Sequence, residues 1–133
     1  MNPPVEVMET VLYARDLDAV RPFYASLLGF RDISTNLPRG LAFRITDRAV
    51  LLVFDPALTR LPHDLVPSHG AIGEGHIAFR VPPGELGPWR ARLADAGVPI
   101  EREVAWPRGG HSLYIRDPAG NSVELVDGEI WPL

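Results

Sequence analysis

The feature that most constrains this chain is a pattern that occurs twice. Val5 to Ala14 mixes β-branched and apolar residues and reads as a strand, ending at Asp16, a good helix N-cap. Beyond it Leu17, Val20, Tyr24, Leu27 and Leu28 recur at helical spacing until Gly29, which suits the position just past a helix end. Pro22 fits poorly inside a helix and predicts either a start nearer Asp18 or a local kink. Phe30 to Asn36, Gly40 to Thr46 and Arg48 to Phe54 then read as three short strands. The order returns after residue 74. Gly75 to Val81 is a strand, Leu86, Trp89, Leu93 and Ala96 form a helix face closed by Gly97, and Val98 to Val104, His111 to Arg116 and Asn121 to Asp127 are strands. Asp117-Pro118-Ala119-Gly120 makes the last tight turn.

Two copies of a strand-helix-three-strand unit predict an α+β fold. Its tandem βαβββ units would form one curved, cup-shaped mixed sheet with helices on the outer face. Unit one spans about 5–55, a Pro- and Gly-rich linker about 56–74, unit two about 75–127 and a tail 128–133, all in a single domain of 133 residues. A chain of this length hides roughly two-thirds of its unfolded surface on folding, so a metal would serve function more than stability. Twelve glycines and fourteen prolines fit short elements joined by tight turns.

Composition excludes several chemistries. There is no cysteine, hence no disulfide, thiolate zinc site, iron-sulfur cluster or cysteine nucleophile, and no lysine for a Schiff base or a phosphate-binding loop. A net charge of -4 with scattered arginines argues against nucleic-acid binding. The longest aliphatic stretch, Ala49 to Phe54, is too short to cross a bilayer, and Met1 to Thr10 has no basic start before an apolar run. A cytoplasmic protein without nucleic-acid or membrane partners is expected.

Strand parity locates candidate chemistry. Ile77, Phe79 and Val81 share one face of their strand and belong under the helices, leaving His76, Ala78 and Arg80 on the other face. By the same parity Glu124 opposes Val123 and Leu125, and Glu9, Val11 and Tyr13 oppose Leu12 and Ala14. Matching the repeats makes Glu9 and His76 equivalent within about a residue and sets Glu124 against Leu51 or Leu52, neither able to bind metal. His63, His69 and His111 read as solvated loop residues, with His69-Gly70 available as a lid.

The segments Arg15 to Phe30 (RDLDAVRPFYASLLGF), Gly75 to Val81 (GHIAFRV) and Arg116 to Leu125 (RDPAGNSVEL) resemble the vicinal oxygen chelate superfamily, which includes glyoxalase I, extradiol dioxygenases, fosfomycin-resistance enzymes and bleomycin-resistance proteins. The resemblance implies metal ligands at Glu9, His76 and Glu124, with Glu9 standing where a histidine is usual. The fourth ligand that glyoxalase I takes from the first unit falls on Leu51 or Leu52. One histidine with two carboxylates suits a divalent cation, manganese or magnesium, with iron or nickel as further choices. The expected function is a metal-dependent isomerase, lyase or dioxygenase acting on a small substrate chelated through vicinal oxygens. Glu9 or Glu124 would double as base, and Tyr13, Arg80, Ser112 and Tyr114 are candidate substrate contacts. The alternative is a metal-free binding protein of the bleomycin-resistance type, whose acidic balance would suit a cationic drug. A homodimer is expected, with Trp89 and Trp131 at its interface.

Overall fold

The computed structural model describes residues 1–35 and 37–132. The end of the expected strand at Asn36 and the end of the expected tail at Leu133 lie outside the described residues. The chain divides into two compact units, Met1–Gly73 and Glu74–Leu133. In the first, β1 (Glu9–Tyr13), β2 (Arg31–Asp32), β3 (Gly40–Thr46) and β4 (Ala49–Phe54) form a sheet of order β1-β4-β3-β2. In the second, β5 (His76–Arg80), β6 (Arg102–Ala105), β7 (His111–Arg116) and β8 (Ser122–Asp127) repeat the order as β5-β8-β7-β6. The outer pairs β1–β4 and β5–β8 are parallel and the others antiparallel, so each unit is a mixed α+β sheet.

The repeat extends to register. Glu9, Val11 and Tyr13 pair with Val50, Leu52 and Phe54, as His76, Ala78 and Arg80 pair with Ser122, Glu124 and Val126. On the next strand Ala42 and Gly40 pair with Leu52 and Phe54, as Tyr114 and Ser112 pair with Glu124 and Val126. Leu52, not Leu51, is therefore the counterpart of Glu124; Leu51 is fully buried on the other face.

Helix α1 (Leu17–Pro22) starts where the sequence places it, because Asp16 Oδ1 accepts from the Ala19 amide at 3.1 Å. Pro22 does not delay the start, and the helix changes form at it. It ends the α-helical turns, and Phe23–Leu27 continues as a π turn closed by Leu28 N–H to Phe23 O at 3.0 Å. The wider turn presents Tyr24 to Phe43 of β3, ring centroids 5.5 Å apart, within a core that includes Leu12, Val20, Leu41 and Val53. Helix α3 (Leu86–Asp95) buries Leu86 and Leu93 and packs near β8. Between them lies α2 (Pro56–Thr59), a single turn capped by Asp55 in a stretch that sequence reads as linker. Among the described residues no helix is long and apolar enough to cross a membrane.

Candidate functional site

The turn between β7 and β8 does more than reverse the chain. Asp117, 4% exposed, accepts from the amides of Ala119 and Asn121 through Oδ1 and from Asn121 Nδ2 through Oδ2. Asn121 in turn uses Oδ1 to accept the Gly75 amide at 2.7 Å, and the Ser122 amide donates to Gly75 O at 2.9 Å. These bonds fix the start of β5 against the start of β8 and so place His76, the first residue of β5, beside Ser122.

His76 Nδ1 lies 3.1 Å from the carbonyl oxygen of Ser122. A carbonyl only accepts, so this bond puts the proton on Nδ1 and leaves Nε2 directed at Glu124 Oε1, 3.3 Å away. Glu124 is 3% exposed. Its other oxygen accepts from Ser112 Oγ at 2.5 Å, and Ser112 Oγ accepts from Trp106 Nε1 at 2.8 Å. A buried carboxylate stripped of such partners would cost several kcal/mol. Tyr114 stacks on His76 with centroids 6.3 Å apart and planes inclined by 21°. Burial, and then the charge of Glu124, hold its phenol above the ordinary tyrosine range.

The second sheet thus gathers His76 and Glu124, which parity predicts, with Ser112 and Tyr114, which the resemblance implies, on one face. Arg80 shares that face of β5 but turns to the chain end, pairing with Glu129 at 3.2 Å and Gly128 O at 3.4 Å. Glu9 and Tyr13 belong to the first unit. Glu9 is exposed on the rung that matches His76. Tyr13 shares a 2.6 Å hydrogen bond with His69 Nδ1, and the His69 ring also lies 5.5 Å from that of Phe54. His69 is thus exposed, as composition suggests, and also tied to the first sheet. Its only sequence signal was the aromatic character of Tyr13 and Phe54 at one end of their strands. Trp106, which sequence reasoning missed, closes the β6–β7 turn through its backbone, with its N–H donating to Gly110 O at 2.8 Å.

Among the described residues no three histidine, aspartate or glutamate side chains are grouped to hold a metal ion. His76 and Glu124 form a pair whose chemistry fits one. With Nδ1 committed to Ser122, a neutral imidazole and a carboxylate aim lone pairs at each other, an arrangement that a cation or a proton between them reconciles.

The sequence profile of the Glyoxalase/Bleomycin resistance protein/Dioxygenase superfamily matches residues 7–125, and the chain belongs to that superfamily. It is similar in structure to a lactoylglutathione lyase from Agrobacterium tumefaciens, with a TM-score of 0.91 and 38% identity over 99% of this chain and 100% of that one. A glyoxalase/dioxygenase from Nostoc punctiforme (TM-score 0.69, 22% identity, 97% and 99% covered) shares the fold. So does a superfamily member from Sphaerobacter thermophilus DSM 20745 (0.73, 18%, 94% and 98%). No curated protein sequence matches the chain.

Proposed function

We propose that the protein is a divalent-metal-dependent enzyme of this superfamily, acting on a small substrate that chelates the metal through vicinal oxygens. Glu9, His76 and Glu124 are the ligands in this reading, and manganese, magnesium, iron or nickel the candidate ions. The observation that carries it is His76 Nε2 facing the buried Glu124 carboxylate at 3.3 Å, with each group braced from behind. A bound divalent cation would polarise a substrate oxygen. The chain's own groups divide the remaining work. Glu124, engaged by Ser112 and His76, holds position; Glu9, exposed in the first unit, takes the base role. Tyr114 offers its ring and hydroxyl beside His76, while Tyr13 and Arg80 are the further substrate contacts, each needing to leave or share its present partner. Likeness to a protein named a lactoylglutathione lyase favours lyase or isomerase chemistry over dioxygenation.

Metal analysis of protein purified without chelator, followed by calorimetric titration with Mn²⁺, tests the reading. Stoichiometric uptake is expected, weakened in Glu9→Gln through loss of a charge and moved toward iron in Glu9→His. Unchanged affinity in Glu9→Gln removes Glu9 from the ligand set. No uptake by the wild-type protein leaves the metal-free binding protein as the reading, to be probed with cationic drugs of the bleomycin type.

A further inference from the structure

Ser112 sits on the site face, but its hydroxyl is engaged by the protein's own groups. It is 1% exposed, and its hydroxyl is used in both directions. An indole N–H can only donate, so the 2.8 Å contact from Trp106 Nε1 occupies an Oγ lone pair. The hydroxyl proton is thereby steered along the 2.5 Å contact to Glu124 Oε2. A lone serine hydroxyl rotates among several partners; this one is held between the tryptophan behind it and the Glu124 carboxylate, with the Tyr114 hydroxyl as a further neighbour. The tryptophan is itself held in place. The Trp106 amide bonds to Gly110 O and its carbonyl accepts from Gly109 N–H at 2.9 Å. A Cβ on Gly110 would meet Glu129 O at 2.6 Å and Ile130 Cγ2 at 2.7 Å, so the chain beyond β8 is pressed against this turn.

We infer that Trp106 and Ser112 are positioning residues, a directed relay that fixes the Glu124 carboxylate with Oε1 presented toward His76 and so sets the site's affinity for a divalent cation. Neither touches cation or substrate. Ser112 thereby leaves the set of substrate contacts and joins the support of a ligand. The inference rests on the reading of His76 and Glu124 as cation donors.

The experiment has two readouts on one set of proteins. In metal-free, ¹⁵N-labelled protein the Trp106 indole N–H should exchange with solvent several-fold more slowly than that of Trp131, which is 75% exposed, and Ser112→Ala should remove most of the difference. Equal exchange in wild type and Ser112→Ala overturns the relay. Titration with Mn²⁺ alone should then show Trp106→Phe and Ser112→Ala each weakening affinity by roughly 10- to 100-fold. The double variant should be no weaker than Ser112→Ala, because Trp106 acts through Ser112. Wild-type affinity in either single variant, or losses that multiply in the double, overturns the inference, since a merely structural tryptophan lowers the melting temperature without that pattern. Failure of the wild-type protein to take up Mn²⁺ defeats the metal-dependent reading and the cation half of this inference together. The exchange rates still decide whether Trp106 and Ser112 form the relay.

Discussion

At Asp32, in the short strand β2, burial and hydrogen bonding act against each other. Burial pushes its carboxyl up; the Ser34 hydroxyl and amide, and then Arg21, outweigh burial and hold it below the usual aspartate range. A lowered native pKa contributes stability that is present above the unfolded value and lost as pH falls through the native one. Asp32→Asn should therefore cost about 1 kcal/mol at neutral pH, after allowance for solvent screening. The gap to wild type should close in acid, and urea unfolding at a series of pH values measures it. Parity alone made His76 and Glu124 legible as residues of one face, since alternation along a strand needs no tertiary knowledge. The role of Ser112 was not legible. Its bond to Glu124 spans two strands on a diagonal of the register, and its bond from Trp106 depends on how a turn folds back.

Elements bounded by turn residues were read closely, and those bounded by tertiary pairing were not. Gly40 and Asp47 delimit β3, and Asp117 follows β7, so their limits follow from local signals. Val5 to Met8 have strand composition, but ladder pairing begins only at Glu9 opposite Val50, and these residues remain exposed. Val98 to Glu101 likewise look extended, yet the first of them is spent on ending α3. The Val98 amide bonds to Leu93 O, and that of Gly97, at φ 69°, to Ala94 O. Gly97→Ala, forced into the left-handed region, should lower stability by about 1 kcal/mol, read as a shift in the urea midpoint with unchanged slope. The π turn after Pro22 was signalled only as a proline out of place.

At the scale of the whole molecule, each sheet has edge strands, β1 and β2 in one and β5 and β6 in the other. Val5, Val7 and Met8 ahead of β1, and Trp131 at the far end of the chain, expose large apolar side chains. A second copy of the chain is the proposed cover, and sedimentation at micromolar concentration should find a dimer; a monomer there removes the proposal. The sheets share a register but not their chemistry. Where the second has Glu124, Ser112 and Tyr114, the first has Leu52, Gly40 and Ala42. Gly40 is confined: a Cβ there would collide with the Phe54 ring and the Val53 carbonyl. Gly40→Ser should accordingly cost several kcal/mol in thermal unfolding, and pairing it with Phe54→Ala should relieve the ring clash but not the backbone one. Phe54 and the Val53 carbonyl together therefore work as a ratchet. A carboxylate at position 52 would find no hydroxyl to brace it, and the Val53 carbonyl still crowds the brace after the phenylalanine goes, so single substitutions cannot lead the first sheet to the second sheet's site without passing through a less stable chain.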